Sequence, residues 1–136
     1  MPRLEAALLA DSAQDYGGKV SILGAFISIV NMPSFPSAWV VQFVGRVAFS
    51  KDELSAPHEV EISVTDNSAE TILKVAGSMG LNAVQSHGVM VETGANIVLP
   101  LFLNFEGPGL YVVKLEVDGR EMATLPLQVQ LQPTEP

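Results

Sequence analysis

The strongest constraint on the fold of this chain is an alternation of polar and apolar side chains with a period of two. It is clearest from His58 to Thr65, and it returns from Tyr111 to Val117 and from Leu125 to Leu131. A helix would repeat its apolar residues every three or four positions, whereas a strand with one face in water repeats them every second position. These three segments therefore predict half-buried β-strands.

Turn residues separate these segments and mark the ends of others. Asp118-Gly119 lies between two alternating runs, which is typical of a tight hairpin because glycine accepts a positive φ. Gly17-Gly18 opens the apolar run from Lys19 to Val30, for which we expect one strand. Pro33-Ser34-Phe35-Pro36 closes that run, since each proline restricts its own φ and the residue before it.

The remaining segments also favour strands. Leu4 to Ala13 is rich in helix-forming alanine and leucine, but its apolar residues also fit a strand, which we prefer. Pro100 predicts an edge position or a bulge, because proline cannot donate a ladder hydrogen bond. Further strands are expected at 39–50, 71–76, 88–92 and 96–105.

Eight or nine short strands without a long helix predict an all-β fold, an antiparallel β-sandwich of the immunoglobulin-like or jelly-roll-like kind. A chain of 136 residues has the size of one domain. We expect that domain to span residues 1–131 and residues 132–136 to form a frayed tail.

Two stretches carry a family resemblance. The first joins Ala10-Asp11-Ser12-Ala13 to the strand Gly18 to Gly24, and the second runs from Gly107-Pro108-Gly109-Leu110-Tyr111 to the hairpin at Asp118-Gly119. This pattern resembles an uncharacterised family of small bacterial all-β proteins with an "AD-x-A … GK-x-x-x-LG … PG-x-Y" signature. The resemblance implies a small all-β domain, and it implies no activity and no binding residues.

Composition argues against several classes of function. The formal net charge is −8, and the seven Lys and Arg residues are dispersed singly, so a nucleic acid or an anionic membrane is not the expected partner. The chain has no cysteine, which removes disulfides, thiol nucleophiles and thiolate metal sites. The apolar runs are much shorter than the roughly 20 residues of a membrane span. We therefore expect a soluble, cytoplasmic protein.

Catalytic and cofactor motifs do not stand out. The two histidines, His58 and His87, are far apart in sequence, and we expect both to face solvent or to lie in turns. No phosphate-binding or dinucleotide-binding glycine motif occurs, and no cofactor is predicted. We therefore expect a protein that is not an enzyme. Glu59 and Glu61 on one strand face are the best candidates for paired carboxylates, but such residues are ordinarily solubilising.

Acidic loops give an alternative, a module that binds calcium or a carbohydrate. Carboxylate and amide oxygens at one end of a sandwich can ligate calcium, a hard cation. The same Asp-Asn-Ser sequence is also typical of an ordinary turn, which we prefer. The calcium candidates are Asp11, Asp15, Asp66, Asn67 and Glu70.

The unusual feature is an excess of apolar residues. Lys19 to Val30 and Ile97 to Phe105 carry apolar side chains on both strand faces, where a sandwich with one wet face per sheet would alternate. Either a closed barrel or a loop such as Gly77 to His87 covers the second face, or another protein does. We favour a non-enzymatic module that associates with itself or with another protein. The predicted interface residues are Leu23, Ile27, Ile29 and Phe102.

Overall fold

The computed structural model of the chain describes residues 1–79 and 92–133. This part of the chain is built from strands and one short 3-10 turn at Lys51–Ser55, and none of its helices is long and apolar enough to cross a membrane. The strands are β1 (Arg3–Tyr16), β2 (Lys19–Ala25), β3 (Ile29–Met32), β4 (Ser37–Ser50), β5 (His58–Thr65), β6 (Thr71–Met79), β7 (Glu92–Phe105), β8 (Gly109–Val117) and β9 (Arg120–Leu131).

The nine strands form two sheets that face each other across one main core. The first sheet has the order β2-β1-β4-β7, and the second has the order β3-β9-β8-β5-β6. All neighbouring pairs are antiparallel except β3 and β9, which are parallel. The all-β class and the sandwich architecture are therefore confirmed, and the strands within residues 1–79 and 92–133 do not close into a barrel.

The core follows the predicted alternation. Odd-numbered positions of β4 and β7 point inward, with Phe43, Phe49 and Phe105 fully buried. From the second sheet, Ile62 and Leu115 meet them, on strands where every second residue is buried. Burying these side chains on both sheets is the main source of stability, at about 25 cal/mol per Å² of apolar surface removed from water.

Several turn and strand predictions are confirmed. Asp118 and Gly119 both have positive φ, 52° and 78°, and they join β8 to β9 as a tight hairpin. Leu4 to Ala13 lies within β1. Pro100 lies on β7, an edge strand in the order that the described strands form. The strand predicted at 88–92 falls mostly outside the described residues.

The expectation of one strand from Lys19 to Val30 is wrong. β2 ends at Ala25, and the chain crosses to the second sheet before β3 begins at Ile29. The break occurs where Gly24 and Phe26 both have a φ of 64°, a conformation that strands do not use. After the break the Ile27 N–H donates to the Leu9 carbonyl at 3.0 Å, which holds the crossing segment against β1.

The β1–β2 hairpin is folded back over its own sheet. β1 pairs with β4 only as far as Ala10 opposite Gln42, but its pairing with β2 continues to Tyr16 opposite Lys19. At the tip, Asn96 Nδ2 donates to the Gly18 carbonyl at 2.9 Å. Asn96 is the β7 neighbour of Arg46, so the tip lies back towards the start of β1. We call residues 11–24 the arm.

The arm covers part of the second apolar face. A small cluster forms where the arm's inward row packs on the outer face of the first sheet; its members are Ala13, Val20 and Ile22 from the arm and Leu8, Ala10 and Val44 from the sheet. The arm therefore supplies part of the cover, which the sequence analysis did not predict. Gly77 to Met79 belong to β6, and the rest of that predicted loop lies outside the described residues.

Candidate functional site

The arm leaves an apolar strip bare on the outer face of the first sheet. Phe102 on β7 and Val40 on β4 are direct cross-strand neighbours, and their side chains are 67% and 48% exposed. The next outward pair is Gln42 opposite Pro100. Scattered exposed apolar residues are ordinary, but a large aromatic ring beside a valine on a flat sheet is typical of a contact surface.

The arm adds a second exposed apolar residue to the same side of the molecule. Ile22 faces the sheet, so Leu23, the next residue along β2, points away from it and is 72% exposed. The bare strip and the outward row of the arm together form one side of the sandwich, which we call the outer side.

The structure places the four predicted interface residues differently. Leu23 and Phe102 lie on the outer side. Ile29 is exposed on the edge strand β3, at the border of the second sheet. Ile27 is half-buried and packs against the main core, so a polar replacement there would test folding as much as association. Phe26, an exposed residue of the crossing segment, was not predicted.

The bare strip contains no charge. The outward positions of β4 from Ala38 to Gln42 and of β7 from Pro100 to Asn104 are all uncharged residues. The nearest charge along β4, Arg46, donates to Glu5 Oε2 at 2.7 Å and to Asn96 Oδ1 at 2.7 Å. A protein could therefore cover this strip without stripping water from an unpaired charge.

The outer face of the second sheet has the opposite character. Glu59, Glu61 and Glu116 line a groove of about 410 Å³ there. Glu61 is the direct cross-strand neighbour of Glu116, and it forms an ion pair with Lys74 at 3.5 Å. This is a solvated, charged strand face of the ordinary kind. Glu59 and Glu61, the carboxylates considered for catalysis, both belong to it.

The structure does not bring the calcium candidates together. In the turn between β5 and β6, Asp66 Oδ1 accepts from the N–H groups of Ser68 and Glu70 at 2.9 and 3.0 Å. Asn67 Oδ1 accepts from the Leu110 N–H at 2.7 Å. These bonds are those of an Asx turn, which satisfies backbone donors with a side-chain oxygen.

The other two candidates are engaged in the arm. Asp15 Oδ1 accepts from the Gly18 N–H at 3.0 Å and so shapes the arm's tip. The Asp11 side chain lies against Gly24, where a Cβ would meet its carboxylate. Within residues 1–79 and 92–133, no group of three or more His, Asp or Glu residues could hold a metal ion.

His58 is buried, with 9% of its surface exposed, so the expectation that it faces solvent or lies in a turn is wrong. Its Nδ1–H donates to Asp118 Oδ2 at 2.6 Å, and its Nε2–H donates to the Glu53 carbonyl at 2.6 Å. The ring also stacks on Phe49, at 4.5 Å between centroids. Two acceptors, one for each ring nitrogen, favour the protonated form of His58. His87 lies outside the described residues.

The titration of this cluster reflects its hydrogen bonds. Burial disfavours the charged ring, but the bonds to Asp118 and to the Glu53 carbonyl outweigh it and raise the pKa of His58 above 6.5. The bond from His58 and the N–H of Glu59 lower the pKa of Asp118. A bond from the Ser50 N–H lowers the pKa of Glu53. Through its two ring nitrogens His58 links β5 to the 3-10 turn at Glu53 and to the β8–β9 hairpin at Asp118.

Fold and surface define a class of protein, a two-sheet β-sandwich with a folded-back arm and an uncharged strip beside it that exposes Phe102 and Val40. A comparison with protein families matches residues 5–130 to "Family of unknown function (DUF6941)". The chain belongs to this family, which agrees with the resemblance to an uncharacterised all-β family.

Other comparisons add little. No curated protein sequence matches this chain. One matching solved structure is the alkylpurine DNA glycosylase AlkC of Pseudomonas fluorescens bound to DNA containing an abasic site analog. The identity is 10% and the TM-score is 0.47, and the match covers 95% of this chain and 30% of that chain. This chain therefore spans less than a third of that protein, and a likeness at this level carries no inference about fold or function.

Proposed function

We propose that this protein is a non-enzymatic interaction module that binds protein through its outer side. The observation that carries the proposal is the exposed pair of Phe102 and Val40 on a sheet face without charge. A soluble domain gains stability by covering such a pair, because apolar surface leaves water when a partner packs on it. The proposed setting is the bacterial cytoplasm, which the cysteine-free composition and the family resemblance favour.

The distribution of charge supports a protein partner over a nucleic acid. The net charge of −8 would repel phosphates. The bare strip carries no charge, so it suits burial against another apolar surface. The occupied carboxylates of Asp66 and Asp15 give the calcium alternative no specific support.

The test compares variants on the two sheets. Phe102→Asp places a charge in the bare strip, and Leu110→Asp is the matched control, because Leu110 is 45% exposed and lies on β8 of the second sheet. The tagged chain is run on a sizing column from a lysate of its source organism. We expect the wild type and Leu110→Asp to elute well above 14.5 kDa and Phe102→Asp to elute as a monomer.

Two results would overturn the proposal. One is an elution of Phe102→Asp together with the wild type, and the other is a monomer for all three proteins. Near-ultraviolet circular dichroism of each purified variant shows whether it is folded. If Phe102→Asp unfolds, Val40→Lys replaces it, since Val40 lies on the same strip and its side chain is also exposed.

A further inference from the structure

We infer that the free edge of β3 binds an extended segment of another protein, which pairs with β3 as an added strand and packs against Phe26. This site is separate from the bare strip, because β3 belongs to the second sheet and the strip lies on the first. An edge strand binds such a segment through its free backbone groups, and the side chains beside the edge give specificity.

The backbone of β3 has one row of hydrogen-bonding groups that β9 does not use. The Ser28 and Met32 carbonyls accept from N–H groups on the β9 side, at 2.8 and 2.7 Å. Because alternate residues of a strand face the same neighbour, the even-numbered residues of β3 face β9. The N–H and C=O groups of Ile29 and Asn31 therefore face away from it, and within residues 1–79 and 92–133 no strand lies beyond β3. These groups offer an incoming strand two donors and two acceptors.

The edge of β3 lacks the residues that protect the other edges. Edge strands commonly carry a lysine or a proline, which discourages a further strand from pairing. Of the four edge strands in the described sheets, β2 contains Lys19, β6 contains Lys74 and β7 contains Pro100. β3 contains no charged residue and no proline. Since β3 has only 4 residues, its backbone contact is short and needs a side-chain anchor beside it.

Phe26 supplies that anchor. It precedes β3 in the crossing segment, its side chain is 78% exposed, and its φ is 64°. A positive φ is a costly conformation for an aromatic residue, and such conformations concentrate at functional sites. Ile29, on β3 itself, is 60% exposed. Two large apolar side chains at the start of a free edge suit a segment that carries apolar residues of its own.

The surroundings of this edge favour an uncharged segment. The sequence has no charged residue between Lys19 and Arg46, and β9 has none from Ala123 to Leu131. Gln130 Nε2 donates to Asn31 Oδ1 at 2.9 Å, so the amides beside the edge are paired with each other. A charged segment would lose water here without meeting an opposite charge. We therefore expect the occupant to be uncharged and to carry apolar residues at alternate positions.

A phage-displayed library of random peptides, selected on the immobilised chain, supplies the probe. The tightest selected peptide is synthesised with a fluorescent label, and its affinity is measured by fluorescence anisotropy. We expect apolar residues at alternate positions of this peptide. Methylation of its alternate backbone nitrogens should weaken binding about tenfold in one register and little in the other, because only one register donates to β3.

Two variants of the chain locate the binding site. Asn31→Pro removes an N–H that faces away from β9, so it spares the ladder between β3 and β9 and should weaken binding about tenfold. Phe26→Asn keeps the positive φ, which asparagine accepts, and loses the ring, so it should also weaken binding about tenfold. Tyr16→Asn is the matched control, because Tyr16 is an exposed aromatic residue at the tip of the arm. It should bind the peptide as the wild type does.

Three results overturn this inference. One is a selection that enriches no peptide sequence. Another is a selected peptide that binds Phe26→Asn as tightly as the wild type, or that tolerates methylation at every backbone nitrogen. The third is a purified wild-type chain with twice the mass of 14.5 kDa that becomes monomeric in Asn31→Pro, since a second copy would then occupy the edge. If Asn31→Pro does not fold, Phe26→Asn and the methylated peptides decide.

Discussion

The two outward faces of this sandwich are built from the same strand alternation, yet they differ in what they can tolerate. On the second sheet, outward positions such as Glu61 and Ser63 meet water and lysines. On the first sheet, outward Val44 is buried under the arm, and Phe102 is exposed without charged neighbours. The difference shows that a period of two locates the strands. The residues on the outward face of each sheet then determine whether another segment or protein must cover that face.

The largest expected effect compares an outward position on each sheet. Val44→Asp would place an unpaired carboxylate beneath the arm, and we expect the free energy of unfolding to fall by about 3 kcal/mol. Ser63→Asp should change it by about 0.5 kcal/mol or less, because Lys74 and Lys114 are its cross-strand neighbours. Urea unfolding of both variants measures the difference. Equal losses would show that the two faces are not distinct.

A smaller effect is expected where the arm begins. Gly24 has a φ of 64°, and a Cβ there would collide with the Asp11 carboxylate. Gly24→Ala should cost about 1–2 kcal/mol, since both the strained backbone and the displaced carboxylate disfavour it. Gly77→Ala on β6 is the control, because nothing lies within 4 Å of its added Cβ.

The two glycine variants also report on the arm itself. Hydrogen exchange should accelerate in residues 11–24 of Gly24→Ala and stay unchanged in Gly77→Ala, because only the first alters the bend. If exchange in the arm is the same in both proteins, the bend at Gly24 does not hold the arm down.

The smallest expected effect concerns the tie at one end of the sandwich. Asp118→Asn keeps the hairpin, because asparagine accepts the φ of 52° at this position, but it removes the charge beside His58. Asp118 is 43% exposed, so water screens the pair and we expect a loss of about 1 kcal/mol at pH 6.

The sign of the pH dependence follows from the two shifts. The pKa of His58 is raised, so its contribution to stability is complete below 6.5 and is lost as the pH rises through the higher folded value. The pKa of Asp118 is lowered, so its contribution exists above 3.8 and is lost as the pH falls through the lower folded value. Urea unfolding from pH 5 to 9 should show the alkaline loss in the wild type and a smaller one in Asp118→Asn, which keeps the bond from His58 to the Glu53 carbonyl.

Local signals in the sequence were sufficient for most strands and turns, but not for the break between β2 and β3. Asp118-Gly119 lies between two alternating runs, and no distant contact competes with that preference. Pro100 likewise indicated an edge position for β7, because proline cannot donate a ladder hydrogen bond. Leu4 to Ala13 became a strand despite its helix formers, because pairing with β4 buries Leu8, Leu9 and Ala10.

Long-range contacts were not predictable from those signals. The arm folds back because Val20 and Ile22 pack against Leu8 and Val44. The local sequence does not indicate which residues the arm will contact. His58 falls in an alternating run as an ordinary polar residue, and its burial depends on Asp118, sixty residues away. Leu23 and Phe102 were predicted as interface residues from alternation alone. Their role in association remains a prediction.

The parallel pairing of β3 with β9 has a consequence for the order of events during synthesis. β1, β2 and β4 can pair as soon as the first fifty residues are available. Val30 and Met32 of β3 must wait for Val129 and Leu131, almost one hundred residues later. Until β9 is made the second sheet is incomplete and β3 has no partner, so we expect folding to finish only when that strand is available.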